Sequence, residues 1–157
     1  RTPGGRLVVA AWDVDDVAEI FALRAMLEGH AAARAARRLT PDGLAALKAC
    51  NQALQAAVAA DEPDVARFLA ENRRFHDLVI GASASARLAT MLASLVEQPI
   101  VRRTATRYAR DDLMRSANEH DQLIQAFAAR DADWARAVMA AHIHRALHAF
   151  RAASPSK

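Results

Sequence analysis

Apolar residues recur three and four positions apart along most of the chain, the spacing of helices that each bury one face. Val17, Ile20, Phe21, Leu23, Leu27, Ala31 and Ala35 form the first stripe, which Asp13 or Asp15 can cap and Gly29 can bend before Arg38. Thr40-Pro41 is a cap followed by proline at the first helical position, and predicts a second helix to about Ala60. Asp61-Glu62-Pro63 repeats that punctuation and predicts a third helix ending near Gly81. Ser83 or Ser85 opens a fourth, with Leu88, Met91, Leu92 and Leu95 inward. Pro99 kinks this helix before it resumes through Val101 to about Tyr108. Asp111 or Asp112 opens a fifth that ends near Arg130, and Asp131 caps a sixth through Trp134, Val138 and Ile143 to Phe150. Short links between these elements predict an all-α antiparallel bundle of six helices, or seven where the kink divides the fourth.

Residues 1–12, RTPGGRLVVAAW, break the pattern: Pro3-Gly4-Gly5 signals a turn, and Leu7-Val8-Val9 is the one β-leaning run. A single short strand is not stable alone. This tail is expected to pair elsewhere or to be the end of a preceding element.

Composition narrows the class. Alanine, the best helix former, makes up about a quarter of the 157 residues, while aromatics are 5% and Gly and Pro number five each. A β-sandwich or barrel needs more turn and β-branched residues. Hydrophobic residues at 53% and charged residues at 25% argue for a packed core rather than disorder. Cys50 stands alone, which leaves no intrachain disulfide and no thiolate zinc cluster. No stretch reaches the roughly 20 apolar residues of a membrane span, and a cytoplasmic location is the expectation. The formal charge is +3, with arginines interspersed among acids rather than gathered in the basic stripe of a nucleic-acid surface.

Chemistry enters with the histidines. His120 lies eleven residues before Asp131 and His142 eleven after it. Both therefore stand roughly 16 Å from one turn, at the same height on antiparallel neighbours. His120 shares its register with Leu113, Leu123, Ile124 and Phe127, and His142 shares its own with Trp134, Val138 and Met139. On the third helix, Asn72 precedes His76 by one turn, an i, i+4 pair of the kind by which one helix offers two metal ligands. A single helical histidine is more often simply packed or half exposed than a ligand. Two level-matched imidazoles and an i, i+4 pair together point to a metal site at Asn72, His76, His120 and His142. His144 and His148 are rotated by about 200° and 240° from His142 and face elsewhere.

Three segments resemble one family in the right order. EIFALRAMLEGHAAARAA (19–36) resembles the opening helix of the FadR-type C-terminal ligand-binding domain, FCD, of GntR-family transcription regulators. NRRFHDLVIGAS (72–83) resembles its metal-binding helix, and EHDQLIQAFAARDADWARAVMAAHI (119–143) is similar to its two closing helices. The likeness covers about residues 13–150, and the FCD-type effector-binding domain is assigned to 13–153. RTPGGRLVV is similar to the last strand of the wing of a winged helix-turn-helix domain, so residues 1–12 are expected to be the remnant of that wing and linker. The resemblance implies the same four metal ligands. The family's commonest pattern has an aspartate where this chain has Asn72, whose carbonyl oxygen can ligate without bringing a charge.

The resemblance implies a regulator without catalytic residues, a homodimer that reaches DNA through a winged helix-turn-helix domain outside this chain. Three imidazoles and an amide leave a divalent cation, Zn²⁺ or Ni²⁺ by ligand type, uncompensated and attractive to an anion. A small carboxylate is the expected effector, in keeping with the organic and sugar acids that the family binds. Arg24 falls on the inward stripe and Arg102 on the inner side of the kinked helix, so both are candidate effector contacts. Glu28 can pair with Arg24 one turn on, or orient a ligand's ring. The rival reading is a metal-dependent hydrolase resembling the DinB-like helical bundles. It needs a general base, and Asp77 and Glu119 each stand about 100° round their helices from a ligand.

Overall fold

The computed structural model describes residues 14–95 and 109–152, and six helices form among them. They are α1 (Val14–Arg38), α2 (Pro41–Ala59), α3 (Val65–Ala82), α4 (Ala86–Leu95), α5 (Arg110–Ala128) and α6 (Ala132–Ala152). No strand occurs among the described residues, and the all-α bundle is as the periodicity predicts. The tail at 1–12, the Pro99 kink, the helix through Tyr108 and the candidate Arg102 lie outside the described residues. No helix described is long and apolar enough to cross a membrane.

The helix starts follow local side-chain chemistry, with two departures from the sequence reading. Thr40 accepts from the Gly43 amide at 3.1 Å with Pro41 in the first turn, and Asp131 accepts from Asp133 and Trp134 at 3.1 and 2.9 Å. The start of α3 is set by Asp64, which accepts from Arg67 N at 2.9 Å, and not by the Pro63 punctuation before it. At α5 neither aspartate caps. Ala109 occupies the cap position and Asp112, one turn in, accepts from its amide at 3.3 Å.

Packing explains where the stripes lead. The most extensive helix pairing is α1 along α6, and both feed one core with Val17, Phe21, Ala25, Ala32, Met139, Ile143 and Leu147. Gly29 does not interrupt α1. A Cβ there would stand 3.3 Å from the Arg136 carbonyl oxygen, so this glycine lets the two helices approach closely. A smaller core of Leu54, Ala57, Val58, Phe68 and Leu113 joins α2, α3 and α5. Met91 and Trp134, both expected to face inward, are 51% and 38% exposed. The short α4 buries only Leu88 and Leu92, and Trp134 stands in the first turn of α6.

Polar ties fix the helix registers that the site needs. Asn51 on α2 donates to the Ala117 carbonyl at 3.0 Å and to Asp121 at 2.7 Å, and Gln55 donates to the other Asp121 oxygen at 2.7 Å. These bonds hold α5 on either side of His120. Arg34 on α1 donates to the Ser83 carbonyl at 3.0 Å, at the C-terminal end of α3.

Cys50 is fully buried, with its sulfur 3.0 Å from the Glu71 carbonyl oxygen and 3.3 Å from the Glu71 carboxylate. Burial and then this hydrogen bond push the thiol up to about 12. Its reaction with iodoacetamide at pH 8 is therefore expected to be on the order of a thousandfold slower than that of an unfolded-chain cysteine. Labelling followed by mass measurement, native against urea-unfolded, reads the ratio. Equal rates would contradict the placement.

Candidate metal centre

Three helices bring His76 (α3), His120 (α5) and His142 (α6) to one point in the interior. One ring nitrogen from each lies within 4.8 Å of the other two. The ring centroids are 5.5 Å apart for His76–His120, 5.3 Å for His76–His142 and 4.9 Å for His120–His142. The level-matching across the Asp131 turn is thus observed, and α3 adds the third ring. His30, His144 and His148 are exposed, as the rotation argument requires for the last two.

Two of the three rings are oriented from behind by carboxylates. His76 Nδ1 donates to Glu28 Oε2 at 2.6 Å, and Glu28 Oε1 accepts from Arg24 Nε at 2.8 Å. His142 Nδ1 donates to Glu119 Oε2 at 2.7 Å, and the same carboxylate takes two bonds from Arg145, at 2.5 and 2.7 Å. A carboxylate on Nδ1 fixes the tautomer and leaves Nε2 as the lone-pair atom, which is how metal-binding imidazoles are held. Each carboxylate is itself balanced by an arginine.

The titration tendencies agree. Burial by itself would raise the Glu28 carboxyl, but Arg24 and then His76 outweigh it and hold the group well below the ordinary carboxylate range. Burial also opposes ionisation of Glu119, yet the bonds from His142 and Arg145 bring it down to about 2. Burial lowers His120 far below an ordinary imidazole, helped by His142 and His76, and it lowers His142 despite the Glu119 bond that favours the charged form. Neutral imidazoles are the form that binds a metal.

His120 supplies the test of fit. It is completely buried, stacked flat on Phe75 with centroids 4.0 Å apart, and neither ring nitrogen has a hydrogen-bond partner among the described residues. An unsatisfied buried polar group costs about 1–3 kcal/mol. A cation shared with His76 and His142 would give one of the two nitrogens a partner. The donor set suits Zn²⁺ or Ni²⁺.

A cavity of about 640 Å³ between α1, α3 and α4 reaches the triad at His76, and its lining includes Arg24, Glu28 and Asn72. Asn72 is half buried there, one turn before His76. Arg24, 8% exposed, has its guanidinium carbon 5.2 Å above the Phe21 ring as well as its bond to Glu28. Glu28 bonds to Arg24 through one oxygen and to the His76 ring through the other. The sequence reading passed over Arg145 and set Glu119 aside as rotated from its neighbour His120. Counting from Asp131 places Glu119 twelve residues before the turn and His142 eleven after, which is the signal that was available. Positions flanking the seam of two antiparallel helices meet across it.

The FCD domain family profile matches residues 19–145. E. coli McbR/YncC shares the fold with a TM-score of 0.80 at 23% identity, over 92% of this chain and 72% of that one. A search of the curated proteins finds no match. With the profile covering most of its length, the chain belongs to the FCD domain family, the domain of GntR-type transcription regulators.

Proposed function

We propose that this chain is the effector-sensing domain of a FadR-type DNA-binding regulator, in which a divalent cation anchors a small organic acid. The cation is Zn²⁺ or Ni²⁺, held by His76, His120 and His142 with Asn72 as the fourth ligand. The carrying observation is the pair of Nδ1–carboxylate bonds behind His76 and His142 together with the orphaned nitrogens of His120. Arg24, lining the adjoining cavity, is the candidate contact for the acid, and Glu28 orients both it and His76. Arg102 keeps its proposed role as a second contact. The regulator acts in the cytoplasm as a homodimer and reaches DNA through a separate winged helix-turn-helix domain.

The hydrolase reading gains no base from the two acids that stand next to the histidines in sequence. Asp77 is taken by Arg73 at 2.9 Å on the surface, and Glu119 is bonded to His142 and Arg145. A base already committed to a ligand's ring and a guanidinium is poorly suited to activating a water.

The test is thermal unfolding of zinc- or nickel-loaded and chelator-treated protein with acetate, lactate, citrate and longer carboxylates. A ligand present at 100 times its Kd adds about 2.7 kcal/mol of stability. At about 2–4 °C per kcal/mol, that is a rise of roughly 5–10 °C. The rise is expected only with metal bound. Carboxylates that leave the loaded protein's Tm unmoved overturn the reading.

A further inference from the structure

The shape and walls of the cavity say more about the ligand than its acid group. The space is about 640 Å³, in the size range that encloses a drug-sized molecule, and a two- or three-carbon acid fills little of it. Its charged side is Arg24, Glu28 and His76, and along α3 Leu69 lies about two turns before His76 and Ile80 one turn after it. Arg73 and Asp77, also on the rim, are engaged with each other at 2.9 Å. The hollow exists because small residues repeat one turn apart on the two helices that bound it, Ala66 and Ala70 on α3 and Ala89 and Ala93 on α4. Leucine at any of these positions would occupy the space.

We infer that the ligand is a carboxylate carrying an extended apolar chain or ring, with its acid group at Arg24 and His76 and its apolar part between α3 and α4. The inference rests on the proposed acid-sensing role and adds the chemical class. Short hydroxy acids leave the half-buried Leu69 and Ile80 wet. An apolar tail removes that surface from water, and each methylene so buried tightens binding by about fourfold.

Isothermal titration of the zinc-loaded chain with acetate, butanoate, hexanoate and octanoate, and with lactate, tests the class. Affinity is expected to climb from acetate to hexanoate by roughly 250-fold, following the per-methylene factor over four added methylenes, and lactate is expected to bind no better than acetate. Ala70→Leu and Ala93→Leu are expected to weaken octanoate at least tenfold while leaving acetate unchanged. Both alanines are exposed helix positions where leucine is well tolerated, and the wild-type series decides the matter even if a variant misfolds. If acetate or lactate binds as tightly as octanoate, the apolar class is overturned and the acid-sensing role stands. If no carboxylate binds at all, both fall together.

Discussion

His120→Leu is expected to abolish metal-dependent stabilisation while making the metal-free domain more stable. Leucine is close to histidine in volume and removes two buried nitrogens that have no partner among the described residues. Relief of one unsatisfied group is worth about 1–3 kcal/mol, offset in part by the lost stacking on Phe75. A net gain of about 1 kcal/mol raises the Tm of the chelator-treated protein by roughly 2–4 °C. Wild type, by contrast, gains about 4 kcal/mol when zinc is present at 1,000 times its Kd, and the variant gains nothing. Elemental analysis and thermal scans with and without chelator measure both effects. His148→Ala, an exposed position, is the control and should match wild type in each. Asn72→Asp should hold the metal at least as tightly as wild type, since it supplies an anionic ligand. A variant at His120 that still takes up one metal ion per chain would remove this residue from the centre.

The second large effect is expected at Glu28. Its side chain is 2% exposed and joins the Arg24 guanidinium to the His76 ring through its two oxygens. Glu28→Ala leaves a buried arginine without its carboxylate, a loss of about 3–5 kcal/mol. It also frees the His76 ring to turn, and loss of such an outer carboxylate typically weakens metal binding tenfold to a hundredfold. Arg24→Ala/Glu28→Ala should be more stable than the sum of the single variants implies by at least about 1 kcal/mol, because the second change removes the stranded charge. Urea denaturation of the four metal-free proteins gives this coupling, and zinc titration gives the affinity separately. Simple additivity would show that Arg24 and Glu28 do not act as a pair.

The comparison of sequence with structure turns on which interactions are local. Helix existence and most boundaries follow from spacing and caps within a few residues, so α2, with Thr40 and Pro41, and α6, with Asp131, start where the sequence places them. The shared height of His120 and His142 was legible for the same reason: a short turn joins their helices, and rise per residue converts sequence distance into position. His76 on the separate α3 was placed by its family resemblance and its inward stripe, and its distance to the others was set by tertiary packing alone.

What the sequence could not decide is how side chains on different helices share partners. Periodicity gives the face a residue occupies but not the rotamer that lets Glu119 reach across to His142 and Arg145. It placed Glu28 one turn from Arg24, and only the packing of α1 on α3 shows the second oxygen meeting His76. Gly29 reads as a bend along one helix and becomes, with α6 beside it, the place where two backbones approach. The cavity is likewise invisible in α3 or α4 separately, since alanines at 66, 70, 89 and 93 are ordinary helix formers until the helices face each other. By itself the sequence determined the helices, their inward faces and the imidazoles available to a cation, because backbone hydrogen bonding and burial of one face act over a few residues. The carboxylates behind the rings and the hollow beside them were decided by the tertiary structure, because each depends on atoms that are distant in sequence meeting within hydrogen-bond or van der Waals range.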